Sequence, residues 1–369
     1  MANTAMVHNI SSLVRNGTNH HKTRPPELNS TKQTRGSTPS SAQSKINHWD
    51  IIRGKYLSVG YDPATIKILL QSWRTGTKAC YATYLKAWIV FAQKIGCDIY
   101  NPTTMQALNF LTSLNQSGYT YNQINTACSV MGAILNIENK YMWGKLPIVK
   151  RFMKGVFEAK PVFPKNYFVW DVSKVFNLFR ELEDPEMLDI KILSQKLCML
   201  IILLSGGQRC QTIHSINIED LKVVDNSLYI PIMEKVKQTK PYKHMKPLKF
   251  MPYIKEPKLC VVTHLTQYLK LTTPRRQCSS LFISYIKPYK AVTRDTLRRW
   301  CKEIMKMSGI NITKYSSHSS RSAATSLAKQ KGMSMALICQ FAGWSNEKTF
   351  ARFYNKDIEE NTCFQDKIM

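Results

Sequence analysis

The chain has 369 residues, 44% hydrophobic and 10% aromatic, which is enough to bury more than one core. Its 52 Lys and Arg against 24 Asp and Glu give a formal charge of +28; the first 48 residues carry six basic side chains and one acidic one, so +23 remains on the rest. Such an excess suits a polyanion partner, nucleic acid being the commonest. The longest apolar run, LCMLIILL (197–204), is too short to span a bilayer, and ten scattered cysteines without a CxxC pair exclude a disulfide scaffold.

In chain order, residues 1–48 are rich in Asn, Ser, Thr, Lys and Pro, and the basic N-terminal segment 1–58 is expected to be disordered. A helical domain is expected over 59–160. In KACYATYLKAWIVFAQK, Tyr81, Tyr84, Leu85, Trp88, Phe91 and Ala92 form one apolar stripe. Met105, Leu108, Leu111 and Leu114 continue the pattern, as do Ile124, Cys128, Met131 and Leu135. A fourth segment mixes Phe152 and Val156 with Lys150, Arg151 and Lys154, so a four-helix bundle is predicted whose outer face grips phosphate through these three cations. The two prolines of AKPVFPKN mark a boundary, and 161–369 form a second domain.

That domain opens with a helix capped by Asp171, followed by a buried helix over 189–205 that ends at SGGQR. SLYIPI and MKPLKF alternate and flank a lysine-dense stretch, which predicts a hairpin with a basic turn carrying Lys235, Lys237 and Lys240. Helices are predicted at 293–308, 320–331, 334–341 and 346–357, with Phe350 and Phe353 anchoring the last. The fold class is therefore mainly α, with a small antiparallel sheet in the second domain. The cysteines read as buried free thiols of a soluble, intracellular protein. Cys210 and His214 have no second ligand pair beside them, and neither a metal nor a cofactor is expected.

Arg209, a hairpin lysine, His318, Arg321, Trp344 and Tyr354 are what phosphoryl transfer on DNA without a metal needs. A tyrosine hydroxyl is a weak nucleophile unless the phosphate is held in line and its charge neutralised. Two guanidinium forks grip nonbridging oxygens, an imidazole takes the tyrosine proton, and an indole N–H adds a neutral donor. A lysine can protonate the leaving 5′ oxygen. Each residue has an ordinary structural reading; their joint order is far less common.

SGGQR, KVKQTK, HSSRSA, AGW and FARFY match, in order, the motifs of the tyrosine recombinases, the phage-integrase-like family. The chain is most similar to those of eukaryotic mobile elements of DIRS-like, Ngaro or Crypton type. The resemblance implies an N-terminal core-binding domain and an integrase-like, DNA-breaking-rejoining catalytic domain, closing as a C-shaped clamp on duplex DNA. It implies Arg209 and Arg321 as the phosphate clamp, Tyr354 as the nucleophile, His318 as acid–base helper, and Trp344 at the family's His-or-Trp position. Among the three lysines it points to Lys237 as catalytic, leaving Lys235 and Lys240 to bind DNA. It further implies a 3′-phosphotyrosine intermediate, a homo-tetramer on DNA without any membrane partner, and a nuclear location.

Two departures stand out: Thr212 stands where many members have an acidic residue, and the Trp-to-Tyr interval is about one residue longer than in bacterial members. The tail 355–369, with Ile358, Phe364 and Ile368, is expected to dock on a neighbouring subunit. The competing readings are a DNA-binding protein that has lost turnover and a type IB topoisomerase.

Overall fold

The computed structural model describes residues 48–137, 142–163, 166–242 and 244–358. They fall into two units, divided between residues 164 and 165.

Among the described residues the N-terminal unit holds six helices: α1 (Asp50–Ser58), α2 (Pro63–Gln71), α3 (Thr75–Ile95), α4 (Thr104–Gln116), α5 (Tyr121–Leu135) and α6 (Pro147–Ala159). Local signals set their ends. Asp62 accepts from the Ala64 and Thr65 amides ahead of the proline that starts α2. Gly96 closes α3 in the left-handed region, and Thr103 and Gln106 form a capping box at α4. Leu85, Trp88, Phe110, Leu111, Ile124 and Met131 form the centre of the core.

The expected disorder through residue 58 is corrected by α1, and the four helices become six. Trp49 stacks on Tyr81 at 6.2 Å and lies 5.3 Å from Trp73, while Ile51 and Ile52 are buried. These few large apolar groups offset the entropy cost of ordering this stretch. Residues 1–47, the remainder of that expectation, lie outside the described residues. Met105, placed on an apolar stripe by periodicity, is exposed. On α6, Val149, Met153 and Val156 face the core, and Lys150, Arg151 and Lys154 are exposed.

In the C-terminal unit, β1 (Phe168–Val169) leads to α7 (Ser173–Glu181), where Asp171 accepts from the Ser173 amide at 2.8 Å. Helix α8 (Ile190–Leu204) is the centre of this unit, with every side chain from Leu193 to Leu203 buried. α10 (Val261–Thr272) and α11 (Arg294–Met307) pack on it. The short α9 (Cys210–His214) follows its C-terminal end. An all-round apolar helix needs such a jacket.

β2 (Lys222–Val224), β3 (Ser227–Ile230) and β4 (Leu248–Phe250) form an antiparallel sheet in which Leu228 faces Phe250 and Ile230 faces Leu248. The expected hairpin is thus present, and β2 adds a third strand. Asp225 and Asn226, both at positive φ, make the tight turn between β2 and β3.

The chain finishes with α12 (Ser319–Gln330), α13 (Met335–Ala342), α14 (Glu347–Phe353) and β5 (Asp357–Ile358), which pairs in parallel with β1. The last helix stops at Phe353, not near 357: the amides of Tyr354 and Asn355 both donate to the Phe350 carbonyl at 2.9 Å, and the chain then straightens. Phe350 is fully buried, but Phe353 is 56% exposed and anchors nothing. Ile358 is buried in this unit's own core beside Val169 and so is not free to dock elsewhere; Phe364 and Ile368 lie outside the described residues. Among the cysteines expected to be buried, Cys80 is exposed, because it falls on the outer face of α3.

No helix of the described residues is long and apolar enough to cross a membrane.

Candidate active site

The turn SGGQR at the end of α8 makes the site possible. Gly207 has φ +68°, and a Cβ there would lie 2.8 Å from the Cα of Arg321 and 2.9 Å from its carbonyl oxygen. Only glycine lets the two segments approach this closely. Arg209 then begins α9, directed into a cleft of about 270 Å³ lined by Arg209, Lys237, Arg294, Arg298, His318 and Tyr354, among others. Four of the six residues given catalytic roles by the resemblance line this one cleft. Lys235 and Lys240 are exposed and do not line it, so Lys237 is the hairpin lysine that reaches the cleft.

The other two, Arg321 and Trp344, do not line the cleft; packed against the ring of Tyr354, they make the floor on which that residue rests. His318 caps α12 and Arg321 sits in its first turn, so both point to Tyr354. The His318 and Tyr354 rings are 6.4 Å apart, and the Arg321 Cζ is 5.6 Å from the Tyr354 ring. Arg321 is only 1% exposed. Its Nη1 donates to the Gly207 carbonyl at 2.7 Å and its Nη2 to the Ala342 carbonyl, while Nε has no partner. Trp344 packs over the guanidinium at 4.4 Å, over Tyr354 at 4.5 Å and against Phe350 at 5.6 Å. It is therefore a core residue, and its indole Nε1 is buried and unpartnered. Across the Trp-to-Tyr interval the Trp344 and Tyr354 rings touch.

Electrostatics favour a neutral imidazole. Burial lowers the pKa of His318 below the ordinary histidine value, and the charges of Arg321, Arg209, Lys237 and Arg298 add to that. Burial likewise weakens the hold of Arg321 on its proton, with Arg209 adding to the effect and Tyr354 opposing it. Arg209 Nη1 is a third buried donor without a protein partner, after Arg321 Nε and Trp344 Nε1. Buried donors left unpaired cost about 1–3 kcal/mol each.

Arg294 and Arg298, one turn apart on α11, add two cations to the cleft wall that motif reading missed. Their i, i+4 spacing on an amphipathic helix was the available signal. Thr212, at the expected acidic position, is fully buried with Oγ1 unpartnered. Among the described residues no group of three or more His, Cys, Asp or Glu is placed to hold a metal.

A mostly helical unit with a small antiparallel sheet and a tyrosine at the end of the last helix defines the integrase-like fold. The chain resembles the solved recombinase XerH bound to palindromic difH substrate, with a TM-score of 0.56 and 14% identity over 95% of this chain and 92% of that one. It also resembles the Tn1549 transposon integrase in complex with transposon right end DNA, with a TM-score of 0.54 and 12% identity over 88% of this chain and 98% of that one. No curated protein sequence matches the chain significantly. Residues 183–360 match the model of the phage integrase family.

Proposed function

We propose that this protein is a site-specific DNA recombinase that breaks and rejoins duplex DNA through a 3′-phosphotyrosine, without a metal. The reading rests on one observation above all: Tyr354, Arg209, Lys237 and His318 line a single cleft, and Arg321 and Trp344, packed on Tyr354, hold spare buried donors.

In the proposed reaction the Tyr354 Oη attacks the scissile phosphorus and its proton passes to the neutral imidazole of His318. The bond from phosphorus to the 5′ oxygen breaks, and that oxygen takes a proton from Lys237 Nζ. Arg209, Arg321 Nε and Trp344 Nε1 stabilise the extra negative charge of the transition state. The phosphotyrosine conserves the ester, so another strand's 5′-hydroxyl reverses the step and joins new partners.

The motif resemblance to DIRS-like, Ngaro or Crypton recombinases supports a mobile element as the source, and with it a nuclear location. The DNA complexes of the structural neighbours support duplex DNA as the partner, and the family resemblance supports a tetramer during exchange.

The test is a suicide duplex carrying the element's termini, incubated with wild type and with Tyr354→Phe in chelator. A covalent protein–DNA adduct from wild type alone is expected. An adduct that persists in Tyr354→Phe removes the nucleophile from this residue, and DNA that binds but never forms an adduct with either protein supports the lapsed DNA-binding reading. Plasmid relaxation without recombinant junctions identifies a topoisomerase instead.

A further inference from the structure

The backbone beside the Tyr354 side chain is held from within FARFY on one side and, on the other, by a group that none of the motifs contains. On the N-terminal side, the amides of Tyr354 and Asn355 share the Phe350 carbonyl. On the C-terminal side a single hydroxyl closes the turn: Ser326 Oγ donates to the Tyr354 carbonyl at 2.8 Å and accepts from the Lys356 amide at 3.1 Å. Ser326 is 4% exposed and lies on α12, the helix that carries Arg321 in its first turn and His318 as its cap. One rigid helix therefore fixes both the activating groups and the main chain of the attacking residue.

The segment beyond is tied down as well. Lys356 Nζ donates to the Asn166 carbonyl at 2.6 Å, the Asn166 side chain donates to the Lys314 carbonyl at 3.0 Å, and Asp357 and Ile358 pair with Phe168 and Val169. Trp170, next in chain, donates its indole N–H to Ser319 Oγ at the start of α12. The strap thus returns to the same helix from its other side.

We propose that Ser326 is a positioning residue for strand cleavage: its hydroxyl sets the main chain of Tyr354 relative to Arg321 and His318, so that the phenol oxygen of this same subunit meets the phosphorus. The inference rests on the recombinase reading above. The chemistry of the clip is specific. A hydroxyl on a short stem does both through one atom, donating to a carbonyl and accepting from an amide two residues on. Alanine leaves both part-buried main-chain groups unpaired and frees the turn, whereas threonine keeps the hydroxyl. In-line attack is sensitive to displacement: about 1 Å of misplacement costs on the order of 100-fold in rate.

The experiment compares wild type, Ser326→Ala, Ser326→Thr and Lys237→Ala on the suicide duplex in single-turnover conditions, with DNA affinity measured alongside. It is run with an ordinary scissile phosphate and with a 5′-bridging phosphorothiolate. Ser326→Ala is expected to form adduct about 10- to 100-fold more slowly with unchanged DNA affinity, and Ser326→Thr to recover most of the rate. The sulfur leaving group needs no proton, so it should rescue Lys237→Ala but not Ser326→Ala. Amide exchange read at Lys356 should show the proton protected in wild type and released in Ser326→Ala.

Wild-type adduct rates in Ser326→Ala, or rescue of that variant by the phosphorothiolate, would overturn the positioning role and leave the recombinase reading standing. A parallel loss of DNA affinity would also overturn it, by showing a general structural defect. Wild type that forms no adduct on any substrate overturns the recombinase reading and the positioning role with it.

Discussion

The two arginines of the site live in opposite surroundings. Arg209 stands in the wall of the cleft with one Nη free of protein partners. Arg321 lies in the floor, with both Nη atoms given to the carbonyls of Gly207 and Ala342 and a tryptophan stacked on its face. In the sequence they are equivalent forks. In the structure one is a free hand, and the other joins the end of α8, the start of α12 and the end of α13 before it can reach a phosphate. Residues of identical chemistry can divide the work of binding a transition state and of building the place where it forms.

The sharpest way to break this contrast is to remove each guanidinium in turn. Arg321→Ala leaves two buried carbonyls unpaired and a void beneath Trp344, so a loss of about 3–5 kcal/mol in unfolding free energy is expected, together with loss of adduct. Denaturant melts measure the first and the suicide substrate the second. Arg209→Ala is expected to melt within about 0.5 kcal/mol of wild type while forming adduct about 10²–10³ more slowly. Equal melting of the two variants would erase the distinction between wall and floor.

The basic turn offers a smaller contrast of the same kind. Lys237 reaches the cleft and Lys240 does not. Lys237→Ala should slow cleavage by about 10² without weakening binding. Lys240→Ala should leave the cleavage rate unchanged and lower the slope of log affinity against log salt by about one. Reversed outcomes would move the acid role along the turn.

The smallest effect is electrostatic. Burial, then the charges of Arg321 and Arg209, lower the pKa of His318. In the folded chain the imidazole therefore binds its proton less readily than in the unfolded chain. Its contribution to stability is full above about pH 6.5 and is lost as pH falls through the lower, folded value. Arg209→Gln removes one of these charges without touching the floor. The His318 pKa should rise in an NMR titration, and the acidic limb of the cleavage profile should move to higher pH. A titration that stays put would remove Arg209 from the charges that set the value.

Much of this was legible in the sequence. Apolar stripes placed most helices within a few residues, and the order SGGQR, hairpin, HSSR, GW and Tyr singled out a group of residues that lies together in space. What was not legible depends on contacts between distant segments. Nothing in a local pattern tells that residues 168–169 pair with 357–358, or that Ser326 reaches Tyr354. The burial of Arg321 was hidden too, since residue type says what a side chain can bind and not which carbonyls will claim it. Arg294 and Arg298 passed as ordinary charges on a surface helix until the cleft gave them a direction.

Trp344 gives the site a built-in interlock. The same ring completes the small core with Ile338, Ala342 and Phe350 and roofs the guanidinium beside the attacking tyrosine. On the recombinase reading, a chain whose last hundred residues are still loose has no assembled blade, so half-made or heat-damaged copies would hold DNA without nicking it. For a protein whose proposed trade is opening chromosomes, safety would then come from architecture, with no separate inhibitor needed.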